Sequence, residues 1–378
     1  MKHLIQLIFF LFTLQVCLAQ EEIVKEIDSI FNQYSSAKNI NNAILKVYSK
    51  SKNLDISLHK NKTAGNLIDV EHQPFYTASI TKMFTAVAIG ILKEENKLKF
   101  EDNIAQYLPD SIMNNLHVLG KKDYSKDLTI AHLLQHTSGL PDYFTDQTKD
   151  ESPNIINQIL MDTNKSWSAE EMIQFTKEKM TPHFVPGTGY HYTDTEYVLL
   201  ALIIENVSGI TLDEFFTQHI FQPLKMNDSY VNLKSSPIDN ELPIDKFYAS
   251  QYELSSLKSL SADWGGGGLV STAHDLITFL KAFNNDEIIK KETRLAMQNW
   301  VYETKGMEYG FGIRKVSIDE LTDTESDIQF IGHSGATASF LWYCPQLDTY
   351  ICGTLNQLEA SKSAMILVYD ILKIIENK

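Results

Sequence analysis

Strand-like segments stand at both ends of this chain, and a long helical middle separates them. Residues 43–49 and 54–59 alternate apolar and polar side chains, joined by the polar turn Lys50-Ser-Lys-Asn53. The two-residue period returns late, at residues 309–316, 328–332, 339–344 and 349–355, before an amphipathic helix at 361–375. A further helix is expected at 21–37, where Ile23, Ile27, Ile30 and Phe31 recur at helical spacing. From about 101 to 251 strand signals are few, and the clearest helices lie at 128–135 and 195–207. Strands this far apart in sequence form one hydrophobic layer only by pairing with each other. The expectation is an α+β fold, an α/β/α sandwich whose antiparallel sheet is built from both termini and flanked by helices. A mainly helical subdomain, roughly 101–251, is inserted, and a cleft between such lobes is where an active site belongs.

Residues 1–19 read as a separate leader. Lys2 and His3 precede an apolar run from Leu4 to Val16, and Cys17-Leu-Ala19 supplies small residues before Gln20. That is the pattern of a secretory signal peptide, too short for a spanning helix. Val16 stands where a lipoprotein signal needs a small residue, so the protein is expected to be exported, periplasmic or secreted, without stable membrane insertion. Residues 20–378 form the folded domain. An apolar fraction of 43% with 11% aromatics suits a sizeable core. The net charge of −15, with scattered Lys and Arg, argues against a nucleic-acid partner. Cys344 and Cys352 flank Pro345-Gln-Leu-Asp348, the turn of an expected hairpin in which Cys344 faces position 349 and Cys352 faces position 341. Their sulfurs then point to opposite faces, as reduced packing residues.

Ser79-Ile-Thr-Lys82 opens a helix-like run that continues to Lys93. Positions i and i+3 share a helix face, so the Lys82 amine sits beside the Ser79 hydroxyl. Serine needs a neighbouring base to become a nucleophile. Lysine fills that role when burial or another cation depresses its pKa.

Four further segments share the order of a known family. Leu133-Leu-Gln-His-Thr-Ser-Gly-Leu-Pro141 looks like its L-L-x-H-T-S-G-L-P segment, and Pro186-Gly187 through Tyr192-Thr-Asp-Thr-Glu-Tyr197 like its P-G…Y-S-N-x-x-Y. Gly267-Gly-Leu-Val-Ser-Thr-Ala-His-Asp275 resembles G-G-L-x-S-T-x-x-D, and His333-Ser-Gly335 falls where the family carries K-T-G or H-x-G. With the Ser79 tetrad, the chain resembles the serine β-lactamase and penicillin-binding protein family over roughly residues 40–357. The likeness leans toward class C β-lactamases and exported D-Ala-D-Ala carboxypeptidases.

The resemblance implies a β-lactamase/transpeptidase-like fold, an acyl-enzyme at Ser79, and Lys82 as base or proton shuttle. Tyr192 is implied as a second proton-relaying group; either Lys82 or Tyr192 takes the Ser79 proton. The backbone N–H groups of Ser79 and Ala336 are implied as the oxyanion hole, and His333, Ser334 and Gly335 as the substrate-side strand. No metal or organic cofactor is implied. The substrate is a small molecule or peptide: a D-amino-acid peptide, a β-lactam or a small ester.

Two residues depart from the family pattern. His333 replaces lysine and is mostly neutral near pH 7 unless an anion raises it, which weakens a fixed charge for a substrate carboxylate. Asp194 replaces asparagine, and an ionised carboxylate accepts hydrogen bonds but cannot donate them. Facing the substrate it favours an ammonium, such as a free D-amino-acid amine; alternatively it is protonated, or points elsewhere to pair with Lys82.

Other readings fare less well. Gly332-His-Ser-Gly-Ala336 lacks the last glycine of a G-x-S-x-G elbow. His132 and His136 are four apart, but without the glutamate of H-E-x-x-H they read as capping and packing residues. Gly265 to Gly268 lacks a following Gly-Lys-Ser/Thr, and reads as a turn that passes close to the cleft. Thr272-x-x-Asp275 reads as a capping box. Trp264, Trp342, Phe75 and Tyr76 read as packing. Within the hydrolases the rivals are a β-lactamase, an esterase and a D-aminopeptidase. From another class, a penicillin-recognising sensor with little turnover is the alternative, supported by the change at Asp194.

Overall fold

The computed structural model describes residues 20–62, 70–239, 242–322 and 325–378. The expected leader at 1–19 lies outside the described residues. Among them, no helix is long and apolar enough to cross a membrane.

One eight-stranded antiparallel sheet draws on both ends of the chain. Its order is Val301–Thr304, Met307–Tyr309, Arg314–Ser317, Gln329–Gly335, Ser339–Cys344, Thr349–Thr354, Asn42–Ser49 and Leu54–Asn61. The N-terminal hairpin joins the rest where Asn42–Ser49 pairs with Thr349–Thr354, Val47 opposite Ile351. Alternation along Asn42–Ser49 sends Ala43, Leu45 and Val47 into one core and Ile44 into another. On the first face lie helices 20–35 and Ser361–Glu376, through Ile27, Phe31, Leu367 and Ile371. The Tyr34 hydroxyl donates to Asp370 at 2.9 Å, tying the two helices together. The other face carries helix Ala273–Asn284 and, beyond it, Thr81–Glu94.

The hairpin expected around residues 345–348 forms, with Cys344 opposite Thr349 and Leu341 opposite Cys352. Both cysteines are buried and free, on opposite faces of the sheet. Residues 309–316, expected as one strand, are instead two strands with a turn between them, Tyr309 pairing with Arg314. Gly312 makes that turn at φ +70°. A Cβ there would lie 2.8 Å from the Lys82 carbonyl oxygen, so only glycine lets the turn close on the Lys82 helix. Val301–Thr304 was not expected, since four residues are too short a window for a period of two to stand out. The helix expected at 128–135 is only Ile130–Leu134. Leu128 is extended, Thr129 caps the helix, and His136 leaves it with φ +59°.

Thr81–Glu94 is buried on nearly every side, through Met83, Phe84, Val87, Ile89 and Leu92, as suits a helix apolar all round. It packs beside Asp194–Ser208. Small residues permit the approach of the neighbouring Gly265: a Cβ there would clash with Ala201 and the Tyr197 carbonyl. This packing sets the first turns of both helices, and hence Lys82 and Asp194, side by side.

Candidate active site

Ser79 lies in the single turn Ala78–Ile80 that leads into Thr81–Glu94. The i, i+3 spacing does what the sequence predicts: the Lys82 ammonium donates to Ser79 Oγ at 3.3 Å. It also donates to Gly266 O at 2.9 Å and to Asp194 Oδ1 in a short ion pair. A Cβ at Gly266 would strike Asp194, so the glycine run does bring backbone against the site, although as the helical turn Trp264–Gly267.

The Lys82 pKa moves opposite to the expectation. Burial works to lower it, but the Asp194 carboxylate and the Tyr192 hydroxyl win and raise it above its ordinary value. In the free protein Lys82 is a cation. Tyr192 stands with its ring 4.9 Å from that ammonium. Its buried hydroxyl has no well-formed hydrogen bond among the described residues. Burial raises its pKa, and the Lys82 and Arg314 charges pull it back.

His333 is buried. Its Nδ1–H donates to Ser334 O at 2.7 Å, and Nε2 accepts from the Tyr309 hydroxyl at 3.0 Å. Burial, with Arg314 and Lys82 nearby, pushes its pKa well below the ordinary value, so it is neutral. Alternation on Gln329–Gly335 turns the Ser334 side chain away from the other named residues. It lines a small cavity against Ser361–Glu376, on the far face of the sheet. Ala336 is exposed just beyond the strand and shares a cavity with Ser79.

That cavity, about 220 Å³, is apolar, lined by Tyr76, Phe144, Ile159, Phe247 and Leu260 together with Asp194. Ile156 and Leu160 stand at its edge, 40% and 52% exposed although apolar. Tyr76, read as packing, both fills the core and lines this wall. Trp264 and Trp342 are core.

Several residues around the site escaped the sequence reading. Asp142 accepts the Asp194 backbone N–H at 3.0 Å, and Asp263 accepts the Tyr76 hydroxyl at 2.6 Å. Burial, reinforced by the Asp194 charge, pushes Asp142 up to about 6 and Asp263 up to about 7. Arg314 lies over the Tyr192 ring at 4.9 Å and is held by Glu303 in a bidentate pair of 2.8 and 2.7 Å. His136 pairs with buried Glu196 and lies beneath Tyr192, the His136 and Tyr192 rings 4.2 Å apart. His132 caps its helix with Thr129. At Thr272 only half the expected box forms, since Asp275 bonds Ser229 and the Asp228 N–H instead.

A buried acid with a raised pKa makes stability fall as pH rises. The contribution of Asp263 is fully present below about pH 3.8 and lost as pH rises to about 7. Asp263→Asn is therefore expected to gain stability relative to wild type between pH 4 and 8, by up to roughly 4 kcal/mol. Thermal unfolding across that range measures it, and parallel pH curves for the two proteins would contradict the assignment.

The sequence profile of the Beta-lactamase family matches residues 33–373. Penicillin-binding protein 4* of Bacillus subtilis (strain 168) is 31% identical over 258 residues, covering 63% of this chain and 51% of that protein. The match thus spans about half the relative's length. Among solved structures, the D-amino acid amidase of Ochrobactrum anthropi SV3 superposes with a TM-score of 0.76 at 19% identity, covering 94% of this chain and 100% of that one. A D-stereospecific amidohydrolase from Streptomyces gives 0.72 at 21% identity, covering 88% and 94%. At such identities the likeness is one of fold.

Proposed function

Because the chain belongs to the β-lactamase family of serine hydrolases, we propose that it cleaves small amides or esters through an acyl-enzyme on Ser79. One observation carries this reading: the Ser79 hydroxyl stands 3.3 Å from the Lys82 ammonium beside an apolar cavity. In the proposed reaction Ser79 Oγ attacks the substrate carbonyl carbon, and the backbone N–H groups of Ser79 and Ala336 hold the developing oxyanion. The Ser79 proton passes to Lys82 or Tyr192 and on to the leaving amine or alcohol. Water then releases the acyl group by the same relay. If Lys82 is the acting base, it must first lose a proton, since it starts as a cation paired with Asp194.

The substrate is proposed to be a D-amino-acid amide or peptide with a free amine and a large apolar side chain. Asp194 supplies an anion to the cavity wall, and the other walls are aromatic or aliphatic. D-amino acids and D-stereospecific substrates are named for the two fold neighbours. Neutral, buried His333 offers no charge to a substrate carboxylate, which speaks against a carboxypeptidase or an efficient β-lactamase. Export rests on the leader-like pattern of residues 1–19. A second reading, a penicillin-recognising sensor that releases its acyl group slowly, draws on the cationic state of Lys82, which makes it a poor base for deacylation.

A substrate panel tests this. D-phenylalanine amide is expected to turn over roughly tenfold or more faster in kcat/KM than D-alanine amide, since burying an aromatic side chain contributes about 1.5–3 kcal/mol. Both should exceed their N-acetylated forms and nitrocefin. Persistent labelling by a fluorescent penicillin without turnover of any amide would instead favour the sensor.

A further inference from the structure

Away from Ser79, two histidines converge on one carboxylate oxygen. His183 Nε2 lies 2.7 Å and His191 Nε2 2.9 Å from Asp146 Oδ2, and all three donor atoms fall within 4.8 Å of one another. We propose that Asp146, His183 and His191 form a binding site for a divalent cation of the Zn²⁺ type, beside the candidate active site.

The donor set and spacing support this. Two imidazoles and a carboxylate suit Zn²⁺ and similar transition ions, whereas Mg²⁺ and Ca²⁺ prefer all-oxygen sites. Ligand atoms about 2.0–2.2 Å from a metal stand roughly 2.9–3.4 Å apart at right-angled or tetrahedral geometry. The two carboxylate–imidazole spacings need to open by up to roughly half an ångström, and the two imidazole nitrogens already lie within 4.8 Å of each other. Each imidazole now donates Nε2–H to the carboxylate, and binding would move that hydrogen to Nδ1 as Nε2 takes the metal. Asp146 is half-buried, and His183 is exposed enough for an ion to arrive from solvent.

The ligands are also held in place. His183 N–H donates to Gly139 O at 2.8 Å and His191 N–H to His136 O at 2.9 Å, so both backbones lie against the 136–139 segment. The Asp142 N–H donates to Asp146 Oδ2 at 2.7 Å and so orients the carboxylate. A bound ion would clasp the Asp142–Asp146 loop to the segment that runs through Tyr192 into Asp194, whose N–H already rests on Asp142.

The test uses purified protein without a histidine tag, stripped by chelator. Titration with Co²⁺, followed by its visible absorption, and with Zn²⁺, by calorimetry, is expected to show one equivalent bound with a micromolar or tighter Kd. Zn²⁺ should raise the unfolding temperature, and excess Mg²⁺ should not compete. His183→Gln, at a surface residue outside the Ser79 machinery, is expected to weaken binding at least about tenfold, with fold and Ser79 labelling unchanged. Asp146→Asn should do likewise to the affinity. Absence of stoichiometric Co²⁺ and Zn²⁺ binding would overturn the proposal, leaving a hydrogen-bonded cluster. So would binding that survives in His183→Gln but is lost in His72→Gln, which would locate the ion at the His72–Asp228 pair.

Discussion

Ser79→Ala is expected to lose covalent labelling by a fluorescent penicillin and to lower kcat by a factor on the order of 10⁴–10⁶, the range seen when a serine nucleophile is removed elsewhere. The same substitution should barely touch stability. Ser79 Oγ meets Lys82 at the long end of hydrogen-bond range, and Lys82 keeps both Gly266 O and Asp194 without it. No large apolar group is removed and no buried charge is orphaned, so the change should stay within about 1 kcal/mol. Steady-state kinetics and thermal unfolding on the same preparation measure both halves. Residual turnover near the wild-type rate would remove Ser79 from the chemistry. Collapse of the fold would make it a structural residue.

Asp194→Asn should have the second largest effect, on both pH dependence and substrate choice. Burial alone would lower the Lys82 pKa; the Asp194 carboxylate, with Tyr192, reverses that. With the anion gone, the largest influence that raises it is lost, and the Lys82 pKa falls below its wild-type value. The sign follows directly. If neutral Lys82 is the acting base, wild-type kcat/KM climbs with pH into the alkaline range, and the variant reaches its plateau at lower pH. Removing the same charge also relieves Asp142 and Asp263, whose carboxyls should ionise at lower pH than in wild type. A substrate ammonium loses its partner, a loss of about 2 kcal/mol or more. The preference for free-amine over N-acylated amides should therefore drop roughly 30-fold. Unchanged pH profiles and unchanged preference together would mean that Asp194 neither tunes Lys82 nor meets the substrate.

Much of this site was legible because its parts are local. Ser79 and Lys82 are three apart on one helix, and the hairpin register of Cys344 and Cys352 follows from a two-residue period. The sheet joined from both termini was legible too, since apolar strands need partners wherever the chain holds them. What stayed hidden depends on three-dimensional neighbours. The direction of the Lys82 shift could not be read from S-x-x-K, because it is set by a carboxylate 112 residues away. Asp142, Asp263 and the His136–Glu196 pair carry no spacing signal of their own. Yet His136 lies within the Leu133–Pro141 motif, Asp142 follows that motif directly, and Asp263 stands just before the glycine run. Ser334 shows the opposite failure. Its motif places it at the site, while strand alternation turns its side chain to the other face. Residues 309–316 misled because Gly312 interrupts an apolar run with a turn that exists only to close on the Lys82 helix.

The central claim is that the acyl group of the substrate resides on Ser79. The most direct test is peptide mapping by mass spectrometry after brief exposure to a penicillin and acid quench. The account predicts one adduct of the full penicillin mass, confined to the peptide containing Ser79 and absent from Ser79→Ala. An adduct on any other residue, or one that persists in Ser79→Ala, would contradict it.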